Sequence, residues 1–142
     1  MISQIHKAYI AGFLDGDGSV FVQAKKNSTY KYKYQISPYI VLFQSSKNVD
    51  CLKDIQNIMK IGSIRLRNDG MQELIINKID EVQFFLQEIA LFSLAKKKQL
   101  NLMKQILDAK KVVKDENDFK NLLKLIDSYR SLNYSKMRKL RP

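Results

Sequence analysis

The sequence predicts an α+β fold in which helices cover one face of an antiparallel sheet. Two observations carry this. Two pairs of alternating segments, each joined by a turn-length connection, are separated by a helical stretch. The rest of the chain keeps a period near 3.6. Hairpins interleaved with helices pair antiparallel, and the apolar side of such a sheet needs a helical cover.

Residues 5–15 read as a helix with Ile5, Ala8, Tyr9, Gly12 and Phe13 on its apolar positions. Residues 19–26 alternate as a strand, with Val20, Val22 and Ala24 against Phe21, Gln23 and Lys25. After a turn at 26–29, alternation resumes at Tyr30 and runs past Pro38 to Phe43, the proline marking an edge or a bulge. Ser46 or Asn48 can cap a helix over 48–59 that buries Val49, Leu52, Ile55 and Met59. A second hairpin follows, with strands at 61–67 and 71–76 around Asn68-Asp69-Gly70. Helices at 78–91, 94–110 and 116–131 complete the chain, and 132–142 is a basic tail. No linker or repeat divides the 142 residues, so they are read as one domain.

Composition narrows the function. At 45% hydrophobic and 27% charged residues, disorder is not the default. The single Cys51 and single His6 exclude internal disulfides, cysteine-rich zinc sites and His-pair metal motifs. No apolar run approaches the roughly 20 residues that span a bilayer, so no membrane partner is expected. Met1-Ile2-Ser3-Gln4 does not read as a secretory or transit sequence. Lys+Arg is 25 against Asp+Glu 14, a net charge of +11. Residues 18–49 and 128–142 contain no acid at all. Solubility does not require such stretches, and nucleic acid is the commonest partner of so basic a small protein.

Glycines crowd at Gly12, Gly16 and Gly18, around Asp15-Gly16-Asp17-Gly18. Two carboxylates at the end of a helix oppose its partial negative charge. A divalent cation resolves that conflict, since carboxylate and carbonyl oxygens are both hard ligands. An EF-hand loop is excluded: counted from Asp15, its required glycine and glutamate positions hold Val20 and Lys26. Ala8, Ala11 and Gly12 form a stripe of small residues, which spacing alone assigns to ordinary packing.

Ile10-Ala11-Gly12-Phe13-Leu14-Asp15-Gly16-Asp17-Gly18-Ser19 resembles the signature of the LAGLIDADG homing endonucleases. The order of helices and hairpins resembles their single-motif, homodimeric branch, as do the segments 31–44, 96–102 and 132–139. The resemblance implies an αββαββα fold with extra C-terminal helices and a saddle-shaped sheet. It implies a second copy of the chain, meeting the first along Ala8, Ala11 and Gly12. The implied reaction is metal-dependent hydrolysis of double-stranded DNA at a long, near-palindromic site. The implied cofactor is Mg²⁺, with Mn²⁺ able to substitute and Ca²⁺ binding without supporting cleavage. By position, Asp17 matches the metal-binding acid and Gly16 a carbonyl ligand, while Asp15 matches an acid that is more often structural. Gln44 matches a residue that orients water, and Lys96 a cation beside the scissile phosphate, with Lys98 the alternative. Asn48 departs from the family, some of whose members carry arginine there; Lys47 and Lys53 are the nearby cations.

Alternation puts Gln23, Lys25, Lys31, Lys33, Gln35, Ser37, Tyr39 and Val41 on one parity, and Ser63, Arg65 and Arg67 on one face of the third strand. Such a ribbon fits a major groove, where Arg reads guanine and Gln reads adenine. The resemblance makes this the DNA face and adds Tyr30 and Gln72. Lys31, Lys33, Ser135, Lys136 and Lys139 suit phosphate contacts. The rival readings are an intron maturase, which would bind RNA, and an inert DNA-binding protein on the same fold. Lysine over arginine, 20 to 5, suggests AT-rich coding and hence an intron-encoded protein of an organelle.

Overall fold

A computed structural model describes residues 1–133. Helix α1 (Gln4–Asp17) leads into strands β1 (Gly18–Lys26) and β2 (Tyr34–Ser45). Helix α2 (Cys51–Met59) then precedes β3 (Ser63–Leu66) and β4 (Met71–Ile76). Helix α3 (Ile79–Glu88), a 3₁₀ turn (Ala90–Phe92), α4 (Lys97–Lys111), α5 (Glu116–Asp127) and α6 (Tyr129–Leu132) follow. The four strands form one antiparallel sheet in the order β1-β2-β4-β3, so the expected α+β class and αββαββα order hold.

The described chain gathers into two compact units. The first comprises residues 1–20 and 39–97. Its core joins Ile10, Ala11 and Leu14 of α1 to Ile40 and Leu42, Leu74 and Ile76, and Leu52, Ile55, Val82 and Phe85, all buried. Ser3 starts α1 by accepting a hydrogen bond from the His6 N–H at 3.1 Å. Lys7 bonds Glu88 of α3 at 3.1 Å. The helix runs two residues past its predicted end, through Asp17, and stops at Gly18. Gly18 is extended (φ −132°), so its requirement is space. A Cβ there would lie 2.5 Å from Leu14 Cδ1 and 2.7 Å from the Leu14 carbonyl oxygen.

In the second hairpin, β3 and β4 pair as predicted, with Arg65 opposite Glu73 and Leu66 opposite Gln72. Gly70 turns it at φ +84°, a conformation that favours glycine. Helix α2 starts later than predicted, after turns over 46–50, and leaves Val49 65% exposed instead of buried.

The second unit comprises residues 21–38 with the chain from Lys98 onward. Val22 and Ile36 are buried there, with Leu100, Met103, Ile106, Phe119, Leu122 and Ile126 supplying the helical core. The Tyr32 ring stacks on Phe119 at 4.9 Å. Tyr129 donates to the Gln99 carbonyl at 2.5 Å, and burial pushes its phenol well above the ordinary range. Residues 30–33 are a turn instead of strand. The Asn27 side chain accepts from the Thr29 N–H and hydroxyl, Lys33 takes φ +67°, and the Asn27 N–H closes the loop on the Lys33 carbonyl at 2.8 Å. Pro38 is buried in β2, which is an interior strand. The β2–β4 ladder covers only Ile40–Ser45, so the proline interrupts no pairing on that side.

Candidate active site

Helix α1 ends on the two acidic residues, and they differ sharply. Asp15 is fully engaged: it accepts from Ser93 Oγ at 2.5 Å, from the Leu94 N–H at 2.8 Å and from the Ala95 N–H at 3.0 Å. Burial pushes its carboxyl up, but these donors outweigh it and hold the group below the ordinary carboxylate range. Asp17, two residues on, is exposed, and no hydrogen bond or ion pair engages its carboxylate among the described residues. The last turn of α1 carries no basic residue to offset the helix dipole. Among the described residues no three His, Cys, Asp or Glu side chains cluster.

The segment carrying Lys96 is tied to this helix end through Asp15. Lys96 is half-buried, its N–H donates to Ser93 Oγ at 3.2 Å, and its ammonium meets no carboxylate among the described residues. Lys98, the alternative, is exposed on α4. Gln44 lies at the end of β2, half-buried, with its Oε1 held by the Ser45 N–H at 2.9 Å. No hydrogen bond joins Gln44 to Asp17 or Lys96 among the described residues. Asn48 and Lys47 sit in the turn that follows β2, and Lys53 is exposed on α2.

The small-residue stripe divides. Ala8, Gly12 and Gly16 are exposed, in line with Ile5 and Tyr9 at 81% and 57% exposure. A Cβ on Gly12 or Gly16 would meet nothing within 4 Å. Ala11 departs from expectation. It is 0% exposed, because it lies about 60° from Leu14 and about 100° from Gly12 around the helix, on the side that Ile10 and Leu14 face, inside its own subunit.

The sheet faces resolve by register. In the first unit, Tyr39, Val41, Glu73, Arg65 and Arg67 lie opposite the buried Ile40, Leu42, Leu74 and Ile76. In the second, Gln23 and Lys25 are exposed opposite Val22, and Gln35 and Ser37 lie opposite Ile36. Three assignments change. Val41 is on the expected face but only 5% exposed, because its strand is flanked on both sides and Ile75 stands against it. Gln72 pairs with Leu66 and Gln44 and shares parity with Leu74, so it belongs to the opposite face from Arg65 and Arg67. Tyr30, Lys31 and Lys33 belong to the turn, so strand parity does not orient them. Ser135, Lys136 and Lys139 lie outside the described residues.

Two residues emerge that the sequence reading did not single out. Glu73 stands between the arginines, 3.9 Å from Arg65 and 3.8 Å from Arg67, whose guanidinium also meets Asp69 at 2.6 Å. The alternation of β4 counted from Gly70 would have found it. Ser93, 0% exposed, had no sequence signal, because its partner lies 78 positions away.

Comparison with known proteins agrees with this geometry. Residues 10–113 match the LAGLIDADG endonuclease family. The chain is 33% identical over 132 residues to the DNA endonuclease I-CreI of Chlamydomonas reinhardtii, covering 92% of this chain and 80% of that one. It is 32% identical over 135 residues to the DNA endonuclease I-CvuI of Chlorella vulgaris, covering 95% and 84%. Among solved structures, I-CvuI in complex with the I-CreI target, with magnesium present and the DNA not cleaved, superposes with a TM-score of 0.85 at 31% identity. That match covers 92% of this chain and 83% of I-CvuI. With the signature helix, the two hairpins and the trailing helices all in place over that length, the chain belongs to the LAGLIDADG endonuclease family.

Proposed function

We propose that this chain is a homodimeric, Mg²⁺-dependent, sequence-specific endonuclease that cuts both strands of a long, near-palindromic DNA site. The observation that carries the reading is the exposed Asp17 carboxylate, unpaired among the described residues, at the C-terminal tip of α1, on a helix whose exposed stripe has open space at Gly12 and Gly16. Glycine inside a helix is unfavourable by about 1 kcal/mol against alanine, and nothing among the described residues requires it at those two positions. Close approach of a second α1 gives it a reason. A two-fold axis there accounts for the palindrome.

The donor set fits a hard divalent cation: the Asp17 carboxylate and the Gly16 carbonyl would hold it. When bound, such an ion polarises a phosphodiester and lowers the pKa of its water. The residues supply the rest. Asp17 places negative charge where a cation is needed. Lys96 offers an ammonium that meets no acid among the described residues, to offset charge developing on the phosphate. Gln44 keeps its amide NH₂ available to orient water, its oxygen being held by Ser45. Arg65, Arg67, Tyr39, Gln23, Lys25, Gln35 and Ser37 supply groups that read bases or hold phosphates. The DNA complexes of I-CvuI, solved with magnesium and with calcium, support this assignment of partner and ion. The same reading extends to an intron-encoded origin in an organelle, supported by the lysine bias.

The test is cleavage of a randomised duplex library in Mg²⁺ by the wild-type chain and by Asp17→Asn. Site-specific double-strand cuts, lost in the variant while binding persists, are expected. Equal cutting by both rejects Asp17 as the metal-binding acid, and binding of RNA with no cutting of DNA rejects the nuclease.

A further inference from the structure

We propose that Asp15 and Ser93 form a positioning unit that sets Lys96 in place for catalysis. The proposal rests on the endonuclease reading and deepens it. Asp15 bridges two parts of the first unit, the end of α1 and the segment 93–96. Its Oδ1 accepts from the Ser93 hydroxyl and its Oδ2 from the Leu94 and Ala95 N–H groups. Ser93 Oγ in turn accepts from the Lys96 N–H at 3.2 Å. A hydroxyl has one proton to donate, so this arrangement is unambiguous: the proton goes to the carboxylate and a lone pair takes the amide.

The relay ends on the main chain of Lys96, whose ammonium meets no acid among the described residues. It begins two residues before Asp17, whose carboxylate has no partner among them. The backbones that carry the two groups are therefore locked to each other through charge-assisted hydrogen bonds. Ser93 is 0% exposed, the one buried polar residue among those described, so a broken relay leaves a buried hydroxyl unpaired. A simple start for α4 needs only the Ser93–Lys96 bond. The three bonds to Asp15 add attachment to α1, which helix capping does not call for.

The experiment is single-turnover cleavage of the selected DNA site in Mg²⁺, with DNA affinity measured separately. Ser93→Ala is expected to slow cleavage about 10- to 100-fold, the usual consequence of displacing a reacting group by an ångström or less, with affinity within about twofold. Because the unit acts through Lys96, Ser93→Ala in a Lys96→Met background is expected to add less than about threefold. Asp15→Asn, which keeps the side-chain shape, is expected to show the same loss and the same non-additivity, and it carries the test should Ser93→Ala fail to fold. Equal losses in the wild-type and Lys96→Met backgrounds overturn the proposal, as does a Ser93→Ala chain that cuts at the wild-type rate. A wild-type chain that cuts no DNA overturns the endonuclease reading and this proposal with it. Cutting by wild type with no loss in Lys96→Met overturns the role of Lys96 and leaves the nuclease standing.

Discussion

Gln44 and Gln72 stand directly opposite each other on β2 and β4, on the sheet face that carries Leu42, Leu74 and Ile76. They are not equivalent. Gln44 Oε1 accepts from the Ser45 N–H, whereas Gln72 Oε1 is buried with no partner among the described residues. A buried acceptor left unsatisfied costs about 1–3 kcal/mol. Gln72→Met keeps the volume and removes the orphan. It is expected to raise stability to urea unfolding by about 1 kcal/mol and to leave DNA affinity unchanged. A loss of DNA affinity would return Gln72 to the DNA face.

Gly12 tests the second copy of the chain. Within the subunit a methyl there has free space, so Gly12→Ala is expected to favour the helix by about 1 kcal/mol. Between two packed helices the same methyl is an overpacking change of roughly 1–3 kcal/mol, or about tenfold and more in the dimer dissociation constant. Sedimentation equilibrium should therefore show weaker self-association alongside unchanged or higher helicity. A wild-type chain that sediments as a monomer at micromolar concentration would remove the dimer.

Which parts of this were legible in the sequence follows from the range of each interaction. Strand alternation is local, so Val20 and Val22 announce the buried face of β1, whereas in α1 the expected positions Ile5, Ala8, Tyr9 and Gly12 are exposed and Ile10, Ala11 and Leu14 are buried, because apolar residues stand on both sides of that helix and periodicity alone does not choose between them. The turn at 27–33 hides its start because Tyr30, Tyr32 and Tyr34 alternate like a strand, while the Asn27 side chain organises a loop. Gln72 illustrates a conflict between two signals. Family resemblance places it on the DNA face, and alternation through Leu74 and Ile76 places it opposite, where the register puts it. The Asp15–Ser93 bond joins residues 78 apart, and no local pattern encodes it.

Tyr129 gives a pH-dependent stability prediction. Its buried hydroxyl donates to the Gln99 carbonyl, so Tyr129→Phe is expected to lower stability by about 1 kcal/mol. Burial raises the phenol's pKa in the folded chain above its unfolded value. In the unfolded chain the phenol ionises first, and the unfolded state then binds fewer protons. The stability tied to the protonated phenol is therefore complete below the ordinary phenol range and is lost as pH rises through that range toward the folded value. Urea midpoints measured up to strongly alkaline pH should fall more steeply for wild type than for Tyr129→Phe.

Glu73 tests how the reading face is held. It is the acid that both Arg65 and Arg67 approach, at 3.9 and 3.8 Å, with its own side chain 15% exposed. Both contacts are long and the guanidiniums are 69% and 39% exposed, so solvent screens the pairs and Glu73→Gln is expected to leave the unfolding midpoint nearly unchanged. Its effect on DNA is different. Two arginines lose the acid that orders them, and each chain gains one unit of positive charge facing the groove. If the dimer neutralises roughly ten phosphates, log affinity falls with log salt at a slope of about −9. Glu73→Gln should steepen that slope by up to about 2, tighten binding to unrelated duplexes and narrow the ratio of specific to non-specific affinity. Filter-binding titrations between low and physiological salt measure all three. An unchanged slope with lower affinity for the chosen site would instead mean that Glu73 itself accepts from a base, the role an acid plays toward the cytosine amino group.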